Sequence, residues 1–152
     1  MKIEVNGSRL YFDVDGISCD SRSADVVDRP TLLLLHGSPG NSDHSVFMPW
    51  FHELTDVAQV VYLDLRGSGR SDEPADGTYR LEAWADDVVA FCDALGIVKP
   101  VVLGNSAGGM VAATYAIRHP DHPGKLVLSS TQARLDANRC LDVFERLGGE
   151  HA

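Results

Sequence analysis

Four short runs of this chain are apolar almost throughout: TLLLL (31–35), AQVVYLDL (58–65), VVL (101–103) and KLVL (125–128). A strand with one wet face alternates apolar and polar residues. A run without alternation suits a strand covered on both faces. Between these runs the period changes. Leu81, Trp84, Val88, Phe91, Cys92 and Leu95 recur every three or four residues, and Gly96 follows as a natural helix stop. The alanine-rich stretch from Ala107 to His119 ends at Pro120, which cannot continue a helix. Shorter helices are expected over 46–55 and 136–147. Buried strands alternating with helices imply right-handed crossovers, hence a mostly parallel sheet with helices on both faces.

Residues 2–5 and 9–14 alternate apolar and polar around Asn6-Gly7, the pattern of an N-terminal β-hairpin. Residues 16–30 are polar and irregular, and 66–77 form a polar loop rich in glycine and proline. Trp50, Trp84 and Tyr115 fall at helical positions and are expected in the core.

At 152 residues, with 44% hydrophobic and 23% charged residues, the chain fits one domain of ordinary globular composition. A net charge of −9 disfavours nucleic acid and anionic membrane as partners. No apolar run is long enough to span a bilayer, and MKIEVNGSRL has no signal-peptide core. Cys19, Cys92 and Cys140 form no CxxC pair, so free thiols in a reducing, cytoplasmic setting are expected.

Gly104-Asn105-Ser106-Ala107-Gly108 matches G-x-S-x-G. Five residues alone carry little weight, but these sit directly after the run VVL and directly before an apolar helix, the context the pattern requires. A strand turning into a helix this sharply holds the serine in a strained backbone and projects its Oγ. Glycines at 104 and 108 let strand and helix approach closely. The competing reading is a tight glycine-rich turn whose serine only caps the next helix; the strand before and the apolar helix after favour the nucleophile. Ser106 is therefore the candidate nucleophile.

His36-Gly37-Ser38-Pro39-Gly40 ends the first buried run, at the carboxyl end of a strand, where ligands of parallel sheets bind. Its glycine-rich turn can aim a backbone N–H at the same point as the serine. The N–H groups of Ala107 and Ser38 are the candidate oxyanion hole. His36, Gly37, Gly40, Gly104 and Gly108 are the supporting residues. His36 is expected to hold the loop rather than act as a base.

Arg66-Gly67-Ser68-Gly69-Arg70-Ser71-Asp72 lacks the third glycine of a dinucleotide fingerprint, and no GK[ST] follows any glycine loop. Arg66, Arg70 and Asp72 are expected to brace the loop. His119 and His122 are expected to be solvated, since further metal ligands are wanting. No cofactor and no metal is expected.

Together HGSPG, DLRGSGRSD and GNSAGG resemble the α/β-hydrolase superfamily, and within it the proline iminopeptidase-like branch, over residues 1–135. The chain departs from that branch in HGSPG for HGGPG and in Ala107, where an aromatic residue is common. The resemblance implies an α/β-hydrolase fold that is incomplete here: residues 1–135 as the N-terminal part of the core, 136–152 as the start of a truncated helical cap. It implies a serine hydrolase of ester or amide bonds acting through an acyl-enzyme on Ser106, with aminopeptidase activity as one form. Small esters, amides or short peptides are the substrates implied. The family completes its triad with an acid and then a histidine. After Ser106 this chain offers only His119, His122 and His151, and no carboxylate among Ser129, Ser130 and Thr131, with Asp136 the nearest. Little activity is expected of the chain alone. A non-catalytic ligand-binding protein, and one half of a two-chain assembly joined at an open sheet edge, are the alternatives, and self-association through that edge is expected to be possible.

Overall fold

The computed structural model describes residues 1–16, 29–38, 41–75, 77 and 79–133. Six strands form one sheet: β1 (Lys2–Val5), β2 (Ser8–Asp15), β3 (Thr31–Leu35), β4 (Gln59–Leu63), β5 (Val101–Asn105) and β6 (Lys125–Ser129). Their order is β1-β2-β4-β3-β5-β6. β1 and β2 make the expected hairpin, with Asn6 and Gly7 both at positive φ in its turn. β2 runs antiparallel to β4, and β4, β3, β5 and β6 are mutually parallel. Their register aligns Leu63, Leu35, Gly104 and Leu128, so the loops bearing every candidate residue leave the same end of the sheet.

The unalternating runs are explained by two apolar layers. Leu33, Leu35, Val61 and Leu63 pack with Trp84, Val88, Phe91, Val111, Ala112 and Tyr115 on one face. Leu32, Leu34, Val60 and Tyr62 pack with Phe47 and Ala58 on the other. Each fully buried leucine, valine or phenylalanine among them contributes about 1.5–3 kcal/mol. The first face is covered by α2 (Leu81–Leu95) and α3 (Ala107–Arg118), which follow α1 (Met48–Phe51) in the chain. Gly96 ends α2 at φ 67, ψ 25, the left-handed cap that glycine supplies without a Cβ penalty.

Three expectations are corrected. The helix over 46–55 is broken into a 3₁₀ turn at His44–Val46, the single turn α1, and a second 3₁₀ stretch at His52–Asp56. Pro49 lies in the first turn of α1, where its missing N–H is harmless, and fixes where that turn begins. Trp50 is not core: it is 75% exposed, because Phe47 and Phe51, four apart, take the sheet-facing side. β6 is not buried on both faces. Among the described residues it stands at one edge of the sheet, with Val127 43% and Leu128 48% exposed.

Residues 136–152, including the expected helix, Cys140 and His151, lie outside the described residues, as do Cys19 and Gly40. Cys92 is a buried free thiol, pushed up to about 12 by burial. Among the described residues no helix is long and apolar enough to cross a membrane.

Candidate active site

Ser106 stands between β5 and α3 with φ 53 and ψ −119, a conformation that non-glycine residues rarely adopt. Its neighbours account for the motif. A β-carbon on Gly104 would come within 2.4 Å of the Gly108 carbonyl oxygen, and one on Gly108 within 2.2 Å of the Leu35 carbonyl oxygen. Both glycines are therefore demanded by backbone contact, the first where strand meets helix, the second where the helix crosses β3. The Ser106 N–H donates to the Ser129 carbonyl at 2.9 Å, and its carbonyl accepts from the Gly109 N–H at 3.0 Å and from the Thr131 hydroxyl at 2.7 Å. The serine side chain is exposed, and opens onto a cleft of about 440 Å³ lined by Ser106, Ala107, Met110, Ser130, Thr131 and Gln132.

The loop after β3 packs on this elbow. Gly37 lies against Ser106, and Ser38 follows at φ 45, its carbonyl accepting from the Asn41 N–H at 3.0 Å. His36 is fully buried. Its Nε2 accepts from the Leu65 N–H at 3.2 Å, so that nitrogen carries a lone pair. The other nitrogen, Nδ1, must then carry the proton that it donates to the Gly37 carbonyl at 2.8 Å. Burial, the largest cause, holds the imidazole below its usual range and keeps it neutral. Both ring nitrogens are spent, so His36 cannot take a proton from Ser106. The Gly37–Ser38 peptide is trans, so its N–H points away from the carbonyl that His36 holds. The ring thus sets the direction of the Ser38 N–H.

A second buried group was not foreseen. Asp64, at the end of β4, is fully buried and accepts from the His44 N–H at 2.7 Å, from His44 Nδ1 at 2.8 Å and from the Arg70 N–H at 2.8 Å. His44 Nε2 reaches Asp13 of β2 at 3.1 Å. Nδ1 donates to the Asp64 carboxylate, which can only accept, and the ring, set between Asp64 and Asp13, ties the loop after β3 to β2 and β4. Asp43, His44 and Asp64 bring one possible metal-ligand atom each within 4.8 Å of one another. Both Asp64 oxygens are already engaged, so the cluster acts as a hydrogen-bonded brace. The available signal was Gly69: a β-carbon there would stand 2.3 Å from Asp64 Oδ2. Gly69 thus admits a buried carboxylate, while Gly67 makes room for the Tyr79 ring.

That loop is braced as expected. Arg66 forms a bidentate ion pair with Asp87 of α2, both buried, and Asn6 adds a bond to Asp87 at 3.0 Å. Arg70 donates to the Tyr11 hydroxyl at 2.7 Å and lies over its ring. Asp72 accepts from Lys2 and Arg9, each at 2.6 Å. His119 and His122 are not merely solvated. His119 reaches Asp86 at 2.8 Å, while His122 bonds the Tyr115 hydroxyl and lies 3.4 Å from Asp93. They follow the far end of α3, about 18 Å along a 12-residue helix from the Ser106 end. His119 and His122 are therefore too far from Ser106 to serve it, and His36 has no ring nitrogen to spare.

Comparison with known proteins agrees with this arrangement. A family model described as alpha/beta hydrolase fold matches residues 30–146. A Caulobacter segnis protein, provisionally named as the carbamate hydrolase RutD, is 37% identical over 133 residues, which is 86% of this chain and 49% of that protein. A 2-hydroxymuconate semialdehyde hydrolase of Pseudomonas is 39% identical over 98 residues, 64% of this chain and 35% of that one. Among solved structures, the enol-lactonase of Burkholderia xenovorans superposes with a TM-score of 0.76 at 30% identity, covering 99% of this chain and 55% of that one. A thermophilic esterase of Thermogutta terrifontis gives 0.75 at 30%, covering 97% and 52%. The chain thus spans about half the length, or less, of the proteins it matches. With the strand order, the elbow and the loop after β3 in place, the chain belongs to the α/β-hydrolase fold family.

Proposed function

We propose that the protein is a serine hydrolase of ester or amide bonds, carbamates and lactones included, working through an acyl-enzyme on Ser106. The observation that carries this reading is the backbone of Ser106 at φ 53, ψ −119, exposed at a cleft and locked by glycines on both sides. Strain of this kind, about 1–3 kcal/mol, persists where the fold needs a side chain aimed outward. Ser106 Oγ attacks the carbonyl carbon. The Ala107 and Ser38 N–H groups hold the oxyanion that forms, each such donor accounting for roughly 10²–10³ in rate. The leaving group departs, and water releases the acyl group.

An aminopeptidase reading is narrower. Holding a substrate ammonium group calls for an anionic partner, and among the described residues lining the cleft there is no carboxylate. Neutral esters suit the cleft better, and the esterase and lactonase among the similar structures favour them too. Among the described residues no free base stands beside Ser106, and a serine without one is a weak nucleophile. This chain alone is therefore expected to form a covalent adduct slowly and to turn over little.

Intact-mass analysis after incubation with a fluorophosphonate, beside Ser106→Ala, tests the assignment. The expected result is a single adduct on Ser106 that the variant lacks. A wild-type chain as unreactive as Ser106→Ala would favour a ligand-binding scaffold instead.

A further inference from the structure

We infer that Thr131 is a positioning residue that orients and strengthens the Ala107 N–H as an oxyanion donor. This rests on Ser106 being the nucleophile. The Ser106 carbonyl and the Ala107 N–H belong to one planar peptide group, so whatever fixes the carbonyl fixes the N–H. The Thr131 hydroxyl donates to that carbonyl at 2.7 Å. A hydrogen bond accepted at an amide oxygen also polarises the N–H of the same amide and makes it a better donor.

The hydroxyl is held in place from several sides. A β-carbon on Gly109 would stand 2.5 Å from Thr131 Cβ and 2.6 Å from its Oγ1 and Cγ2, so the side chain rests directly on the glycine that follows the G-x-S-x-G pattern. That contact gives Gly109, the last glycine of GNSAGG, a reason of its own. β-Branching limits χ1, so a packed threonine presents its hydroxyl in one direction. Ser130, at φ 48, is a left-handed turn between two residues that both grip Ser106. On one side of it the Ser129 carbonyl accepts the Ser106 N–H at 2.9 Å, and on the other Thr131 serves the Ser106 carbonyl. The segment leaving β6 thus holds both peptide planes that flank the strained residue, although it lies more than twenty positions away in sequence. Thr131 also lines the cleft into which Ser106 opens.

The test compares wild type with Thr131→Val, which keeps the shape and removes the hydroxyl, and with Thr131→Ser, which keeps the hydroxyl. Fluorophosphonate labelling is measured as a maximal rate and a half-saturating concentration, and the Ala107 amide proton is followed by NMR. Thr131→Val should lower the maximal rate by roughly five- to tenfold, the scale of one lost hydrogen bond. Its half-saturation should be unchanged and its Ala107 amide proton shifted upfield. Thr131→Ser should stay within about twofold of wild type, with its Ala107 resonance unmoved. A Thr131→Val chain that labels like wild type overturns the inference. So does slowing without an amide shift, which would place the effect elsewhere, and so does a Thr131→Ser chain as slow as the valine, which would show that packing alone matters. A wild type that does not label at all refutes Ser106 as nucleophile and the inference with it, whereas an Ala107 shift in that case would still report the hydrogen bond.

Discussion

Gly37 packs directly on Ser106: a β-carbon on Gly37 would stand 2.9 Å from the Ser106 β-carbon, 3.1 Å from the Asn105 carbonyl oxygen and 3.4 Å from Ser106 Oγ. All three atoms belong to the elbow that the fold can least afford to move. The first glycine of HGSPG is therefore a spacer between the two proposed halves of the oxyanion hole. Gly37→Ala must push the loop away from Ser106. Overpacking of this kind costs about 1–3 kcal/mol, and displacing a donor by ~1 Å costs on the order of a hundredfold in rate. The expected outcome is a modest fall in urea midpoint with a much larger fall in fluorophosphonate labelling. Equal labelling in the variant would separate the loop from the chemistry.

His36 makes stability depend on pH in a stated direction. Its folded value lies below the ordinary 6.5, chiefly through burial. The unfolded chain therefore binds the proton more readily. Stability is full above about pH 6.5 and falls as pH drops from there toward the folded value, with no further change from this group below it. Asp43, Asp72 and Asp86 are held below their ordinary 3.8 by hydrogen bonds from Ser45, Lys2 and Arg118 respectively, so each adds a second loss of the same sign at still lower pH. Urea unfolding of wild type and His36→Asn across pH 8 to 5 isolates the histidine. The wild-type loss should be the steeper one, and parallel curves would contradict the assignment of His36 as a buried neutral imidazole.

The Arg66–Asp87 pair joins the loop after β4 to α2 and is buried on both sides, at 6% and 2% exposure. Asp87→Ala would leave the guanidinium buried without its partner, at a cost of about 3–5 kcal/mol. Replacing both partners, as in Arg66→Met with Asp87→Leu, removes the charge along with the need for a partner, and should recover most of that loss. Chemical denaturation of the two variants decides this. A double variant as unstable as Asp87→Ala would mean that the loop needs the Arg66 hydrogen bonds themselves.

Much of this was legible in the chain because the strongest signals are local. TLLLL and QVVYL lie in strands whose alternate residues feed two apolar layers, so an unbroken apolar run is what such strands require. Gly104 and Gly108 were readable for the same reason, since their causes lie within the strand–turn–helix unit and the strand beside it. What escaped depends on contacts between distant segments. Asp64 looks like one more polar residue at a strand end until His44 and Arg70 close over it. Thr131 carries no motif, and its role exists only because β6 pairs with β5 in a register that sets Ser129 beside Asn105. Trp50 escapes for another reason: helical spacing states that one face is apolar without stating which face meets the sheet. Phe47 and Phe51 settle that question against it.

β6 raises a last expectation. It pairs with β5, and among the described residues no strand pairs with its other edge. Val127 and Leu128 point to opposite faces of the sheet, yet both are close to half exposed. A parallel strand with apolar residues on both faces and a free row of N–H and C=O groups is a template for another strand. The chain alone should therefore self-associate as its concentration rises. Lysine at an edge strand opposes such pairing by charge and solvation, so Val127→Lys with Leu128→Lys should shift sedimentation toward the monomer. Thermal stability should change little, because neither side chain is fully buried. A wild-type chain that stays monomeric at millimolar concentration would show that this edge is already protected.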